Sequence, residues 1–198
     1  DDGDARHGGV LRAPMKYLGP NTYDQSGALQ TGVNAKVEWD PTTGVFTPNP
    51  EAAAEGISGV VNYLNQFGRT AAVPGAYKSN DPVSELYYEA LRYVQGLSPT
   101  PAAVSNITTA MKDGYPVYET WTDPHAGGDK DKNYSCVKNN IVLVGDVNVH
   151  SDKTIPGNTR TNNSDLARTY DLANNEPNFV EWTKVVGGFE SNNPVSYP

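Results

Sequence analysis

The residues best suited to chemistry in this chain gather behind one short apolar run. Ile141-Val-Leu-Val144 leads into Gly145, Asp146, Asn148 and His150. Three of the four apolar residues are β-branched, which predicts a fully buried strand. Ligands and ions bind past the carboxyl ends of strands in open α/β sheets. A carboxylate there is either a metal ligand or the cap of the next segment. Just upstream, Asp129, Asp131 and Asn133 alternate as in the opening of a calcium loop, where successive oxygens point at a hard cation. The loop pattern is incomplete: Tyr134 stands in place of the sixth-position glycine, and Val137 and Asn140 occupy the region of the bidentate ligand.

Asp146, Asn148 and His150 also permit a metal-dependent phosphoesterase, a chemistry that needs several carboxylates and a histidine converging on the ion. The segment resembles the Gly-Asp-Phe-Asn stretch of the endonuclease/exonuclease/phosphatase family, but that family's Gln-Glu pair and terminal Ser-Asp-His are absent. His7, His125 and His150 are scattered and read as loop residues. No Gly-x-Ser-x-Gly elbow, phosphate loop or dinucleotide fingerprint occurs. Glu85 and Glu89, four apart on a helix, are expected on a solvated face. The lone Cys136 builds no disulfide framework by itself.

The elements that must position these groups belong to one domain spanning residues 1–198. A mean hydropathy of -0.58 with 19 Gly and 15 Pro predicts long loops. The net charge of -8 argues against nucleic acid or an anionic membrane as the main partner. No run approaches the roughly 18 apolar residues that span a bilayer. The opening Asp1-Asp2-Gly3-Asp4 suggests a processed product or a fragment, and abundant Tyr with few Lys suggests an extracytoplasmic setting.

Residues 1–48 carry turn signals around short strands near Val10 and at Lys36–Trp39. Pro50 then opens a predicted helix with an apolar face of Ile57, Val60, Val61, Leu64 and Phe67, stopped by Gly68. A second helix is predicted from an Asp81 N-cap to Gly96, burying Val83, Leu86, Tyr87, Ala90, Leu91 and Val94. A third follows from Pro101 to about Met111, then a strand at Tyr115–Thr120, the strand at 137–146, and two weaker helices near 163–173 and 177–187. The order favours an α/β layered fold with long loop insertions.

Two segments are more specific together than apart: Ser79-Asn-Asp81-Pro-Val-Ser84 entering Glu85-Leu-Tyr-Tyr-Glu-Ala-Leu-Arg-Tyr93, and Lys138-Asn-Asn-Ile-Val-Leu-Val-Gly-Asp146. The pairing resembles the von Willebrand factor A domain of the type IV pilus tip-adhesin family, the PilC/PilY group. Gly9–Tyr17, Asn49-Pro50-Glu51, Trp121-Thr-Asp-Pro124 and Tyr134–Asn140 extend the likeness over most of residues 9–150.

That resemblance implies an α/β, Rossmann-like von Willebrand factor A fold whose first strand and helix lie upstream of Asp1. It implies an adhesion site for Ca2+ or Mg2+, with Asp146 as the strand-end ligand and Asp81 or Ser84 near the position of an oxygen ligand. The family's Asp-x-Ser-x-Ser is absent; Asp24-Gln-Ser26-Gly-Ala28 is the nearest match. The function it implies is a non-enzymatic, extracellular adhesin or pilus-assembly component at the bacterial surface. Such a component binds pilus subunits or host and abiotic surfaces, and another chain could complete its fold. The natural contact surfaces are the polar loops at 20–48, 122–135 and 151–163. A ligand-free structural surface protein, in which Asp146 only caps a loop, is the remaining alternative.

Overall fold

The computed structural model describes residues 8–24, 26–66, 69–70, 73–77, 82–125, 138–144, 186–188 and 190. In chain order these residues form β1 (Thr22–Tyr23), β2 (Leu29–Gln30), α1 (Val60–Asn65), β3 (Arg69–Thr70), β4 (Val73–Tyr77), α2 (Val83–Val94), α3 (Pro101–Val104) and α4 (Thr109–Lys112). β1 pairs antiparallel with β2, Tyr23 opposite Leu29, and β3 pairs antiparallel with β4. Three of the predicted strands, near Val10, at Lys36–Trp39 and at Tyr115–Thr120, survive only as bridges, Leu11 with Tyr118 and Trp39 with Phe46.

The helix predicted from Pro50 begins only at Val60. Ala52, Gly56 and Gly59 hold positive φ, which an α-helix cannot accommodate, so residues 50–59 form turns instead. Asn49 organises those turns: its side-chain oxygen accepts from the amide of Ala53 at 2.9 Å and from the Ser58 hydroxyl at 2.6 Å. The helix predicted over 101–111 is divided into α3 and α4. Asn106 between them lies at φ 54, and the Thr108 hydroxyl caps α4 by accepting from the Met111 amide at 3.3 Å.

α2 ends where predicted, with Gly96 past its end at φ 72, but Pro82 rather than Asp81 stands in the N-cap place and no side chain caps the helix. Its most buried face is not the predicted one, and of the predicted stripe Val83, Ala90, Leu91 and Val94 are only half-buried. Glu85, Glu89 and Tyr93, at i, i+4 and i+8, are buried, whereas Leu86 and Tyr87 are 43% and 46% exposed. The reason lies in the strap Gly8-Gly9, which crosses this face. A Cβ at Gly9 would stand 2.6 Å from Leu86 Cδ1, and one at Gly8 2.8 Å from Ala103 Cβ. Only glycine allows that approach, and the strap brings the Gly8 N–H that the Glu85 carboxylate accepts.

The run 141–144 departs furthest from expectation. It forms no strand, and Ile141, Val142, Leu143 and Val144 are all exposed. Strands buried on both faces read as continuous apolar runs, and among the described residues no strand pairs with this run.

The core instead combines a few aromatic rings with buried polar groups. Tyr115, 2% exposed, packs edge-on to Tyr63 at 5.3 Å and donates its hydroxyl to the Asn62 carbonyl at 2.9 Å. Tyr93 meets Trp121 edge-on at 5.5 Å, and its hydroxyl accepts from the Met15 amide at 2.8 Å. Arg12 is buried beside them. It donates to the carbonyls of Lys112 at 2.5 Å, Met111 at 2.9 Å and Tyr115 at 3.4 Å, and lies over the Tyr63 ring. It thereby ties the amino-terminal segment to the carboxyl end of α4, where a cation suits the free carbonyls.

Candidate functional site

Of the metal-ligand candidates, Ser84 lies among the described residues. It is exposed in the first turn of α2. Asp81, Asp129, Asp131, Asn133 and Asp146 lie outside the described residues, as do Cys136, Asn148 and His150. Among the described residues no group of three or more His, Cys, Asp or Glu side chains is placed to hold a metal ion.

Glu85 and Glu89 do not form the expected solvated face. Glu85 Oε2 accepts from the Gly8 amide at 2.8 Å. Glu89 accepts from the amide of Thr100 at 3.2 Å and, through a short hydrogen bond, from its hydroxyl. Burial pushes the Glu89 carboxyl up, against the opposing pull of these Thr100 donors. The two carboxylates therefore act as clasps, one on the strap and the other on the entry to α3.

The arrangement that presents a surface lies in residues 16–46. Its neck is an ionic network that patterning did not reveal, in which the side chains of Glu38 and Glu51 are buried, that of Lys16 is nearly so and Lys36 is exposed. Lys16 Nζ stands 2.9 Å from Glu38 Oε1 and 2.5 Å from Glu51 Oε1, and Lys36 Nζ is 2.7 Å from Glu51 Oε2. Glu38 is wholly buried and accepts from the amides of Val60 at 2.9 Å and Val61 at 2.6 Å. A carboxylate 22 residues upstream thus caps α1, at the end where amides are free and negative charge is favoured. Burial pushes the Glu51 carboxyl up, but hydrogen bonds and charge from Lys16 and Lys36 outweigh it and hold the group below the usual carboxylate range.

Above this neck the chain is closed by its own hydrogen bonds. Asn34 Nδ2 donates to the carbonyls of Tyr17 at 2.7 Å and Gly19 at 2.6 Å, and the Glu38 amide donates to Leu18 at 2.9 Å. The β1–β2 turn is held by Asp24, whose carboxylate accepts from the Ser26 hydroxyl at 2.6 Å and amide at 2.9 Å, and from the Ala28 amide at 3.0 Å. Those bonds, led by the Ser26 hydroxyl, lower its pKa.

What this frame carries outward is aromatic and apolar. Tyr17 and Tyr23 are 48% and 54% exposed with ring centroids 6.0 Å apart, and Leu29 stands opposite Tyr23 across the ladder. A rigid base with exposed tyrosines on a loop is suited to contact with another macromolecule. The expectation for the loop at 20–48 rested only on its polarity; the Tyr17–Tyr23–Leu29 face is what the structure adds.

The described geometry thus defines a loop-presenting domain with a polar interior, a tied neck and an exposed aromatic face. The chain belongs to the PilY1 homolog family: the family model described as PilY1 homolog, second domain, matches residues 4–197. It is similar to a protein of Xylella fastidiosa (strain Temecula1 / ATCC 700964) named Type IV pilus biogenesis factor PilY1 homolog. The two are 39% identical over 170 residues, covering 78% of this chain and 13% of that protein. No solved structure matches the chain significantly. No helix among the described residues is long and apolar enough to cross a membrane.

Proposed function

We propose that this domain is a non-enzymatic binding component of type IV pili that works outside the cell by contacting pilus subunits or a host or abiotic surface. The observation that carries the reading is the match of residues 4–197 to the second domain of PilY1 homologs, together with the likeness to a pilus biogenesis factor. The contact is made by the loop held above the Lys16–Glu38–Glu51 neck, with Tyr17, Tyr23 and Leu29 as its anchoring side chains. Tyrosine suits this role because it buries a large, stiff ring and keeps a hydroxyl for hydrogen bonding. A double variant, Tyr23→Ala with Leu29→Ser, is expected to weaken binding to purified type IV pili at least tenfold with an unchanged melting temperature. Equal binding by the variant would remove the loop from the proposal.

The von Willebrand factor A-like layered fold and its cation site belong to the same proposal. Asp146, with Asp81 or Ser84, would give oxygen ligands to Ca2+ or Mg2+, and Asp129, Asp131 and Asn133 would give a second set, a donor chemistry that suits hard cations. Thermal unfolding with and without each ion tests this. A rise in melting temperature that Asp146→Ala abolishes supports the strand-end site, and no shift with either ion sets both sites aside.

A further inference from the structure

Beside the exposed tyrosines of the loop stands a fixed negative charge with only neutral partners. Residues 16–46 hold two basic side chains, Lys16 and Lys36, and three acidic ones, Asp24, Glu38 and Asp40. Both lysines are committed to the neck, on Glu38 and Glu51. Asp24 is exposed, and its hydrogen-bond donors among the described residues are uncharged. Its Oδ1 accepts from the Ser26 hydroxyl at 2.6 Å, the Ser26 amide at 2.9 Å and the Ala28 amide at 3.0 Å, and its Oδ2 accepts from Gln30 Nε2 at 3.0 Å. A carboxylate oxygen takes two donors, so Oδ2 has room for another. The bonds that lower the pKa of Asp24 also keep it ionised at neutral pH.

Tyr23 directly precedes Asp24, with Leu29 opposite it across the ladder and the Tyr17 ring 6.0 Å away at a tilt of 47°. Rings tilted in this way do not cover each other's faces, and both are about half-exposed. An aromatic face is negative and attracts a cation held within about 6 Å of its centroid. Gln30 pairs with Thr22, so it lies on the other side of the ladder from Tyr23 and Leu29, and Asp24 flanks the rings at the turn end. Consecutive Cα atoms are about 3.8 Å apart, which sets Asp24 well inside the ~8 Å screening length from a cation seated on Tyr23.

We infer that the partner of this face is a basic polypeptide segment, which seats an arginine or lysine head over the Tyr17 and Tyr23 rings beside Asp24 and lays its aliphatic stem along Leu29. The inference rests on the loop contact proposed above and names the chemistry of its partner. Charge complementarity chooses the occupant: a net charge of -8 draws in a basic segment and repels an acidic one. A neutral glycan or an apolar surface would gain nothing from Asp24. Arginine fits best, since its guanidinium stacks flat on a ring while its N–H groups reach a carboxylate, and its stem covers apolar surface.

A synthetic peptide of alternating alanine and arginine tests this, against the same peptide with citrulline in place of arginine, by NMR titration of the 198-residue chain. Citrulline keeps the shape and removes the charge. The arginine peptide should shift the Tyr17 and Tyr23 ring resonances saturably and bind about tenfold more tightly than the citrulline peptide. Asp24→Asn should weaken it about threefold. Gln30→Lys should do the same, because it sets an ammonium against Oδ2 and leaves the Ser26 and Ala28 bonds in place. Glu119→Gln, which removes one charge from an exposed site outside the loop, should change nothing. Equal binding of the two peptides overturns the inference. So does equal weakening by Asp24→Asn and Glu119→Gln, since the attraction would then be that of the whole chain. Should Asp24→Asn disturb the turn, Gln30→Lys decides, and its full retention of binding overturns the inference too. No pilus enters this assay, so pilus binding without a peptide response removes only the basic partner, and a peptide response without pilus binding removes only the contact with pili.

Discussion

Glu38→Gln isolates the buried cap of α1 with almost no change of shape. In the native protein both carboxylate oxygens are engaged, Oε1 by the Val60 amide and Lys16 Nζ, Oε2 by the Val61 amide. An amide side chain offers one acceptor and one donor group, so one backbone N–H must face another donor in a site with no solvent access. Leaving a buried donor unsatisfied costs about 1–3 kcal/mol. The surviving bond loses its charge assistance, which roughly halves it and adds about 1 kcal/mol. Lys16 retains Glu51 at 2.5 Å, which keeps its own loss small. The sum is about 3 kcal/mol, and in a chain of 198 residues each kcal/mol lowers the melting temperature by roughly 2–4 °C. Urea and thermal unfolding should therefore show a drop of about 6–12 °C, with the exposed Glu119→Gln as an unaffected control. A Glu38→Gln change within about 0.5 kcal/mol of wild type, the range of ordinary surface substitutions, would refute the buried cap.

Arg12→Lys should cost about 2–3 kcal/mol in urea unfolding, because a single ammonium cannot reach three carbonyls in the fork the guanidinium spans; an unchanged midpoint would mean that those bonds add little. Gly9→Ala should destabilise by about 1–3 kcal/mol, since its Cβ meets the Leu86 backbone at 3.3 Å as well as the mobile Cδ1; a neutral Gly9→Ala would show that the strap is not seated on α2. Two carboxylates should respond to pH in opposite senses, measured as melting temperature from about pH 3 to about pH 8. Glu89 is raised by burial from an ordinary 4.5, so its contribution is complete below 4.5 and fades as pH climbs through the raised value; Glu89→Gln should gain on wild type as pH rises. Glu51 is lowered on balance from 4.5, so its contribution is present above 4.5 and disappears as pH falls through the lowered value; Glu51→Gln should be weaker near neutrality and converge with wild type in acid.

The limits of α2 were legible to within a residue because both ends are local: Pro82 takes the N-cap place expected of Asp81, and Gly96 lies past the end. Its buried face was not. Periodicity favours the apolar stripe, yet a strap 77 residues upstream decides which side is covered, by donating the Gly8 amide to Glu85. The same non-locality hid the neck, since nothing near Glu38 in sequence announces an α1 cap 22 residues later. The break between α3 and α4 did leave a signal: Ser105-Asn106 and the capping Thr108 interrupt the helical pattern. The run 141–144 shows the converse. Its composition predicts burial, and this chain exposes it. The family was legible through motifs spread along residues 9–150, and the match over 4–197 bears that out at the level of PilY1 homologs. The ligand residues at 81, 129–133 and 146 lie outside the described residues.

Binding of this domain to purified type IV pili, measured side by side for wild type and for Tyr23→Ala with Leu29→Ser, tests the central claim most directly. The account predicts saturable binding by the wild type and at least a tenfold loss in the double variant, with both proteins melting at the same temperature. Saturable binding of equal strength by both would place the contact elsewhere on the domain, and no binding by the wild type to pili or to surfaces would contradict the claim.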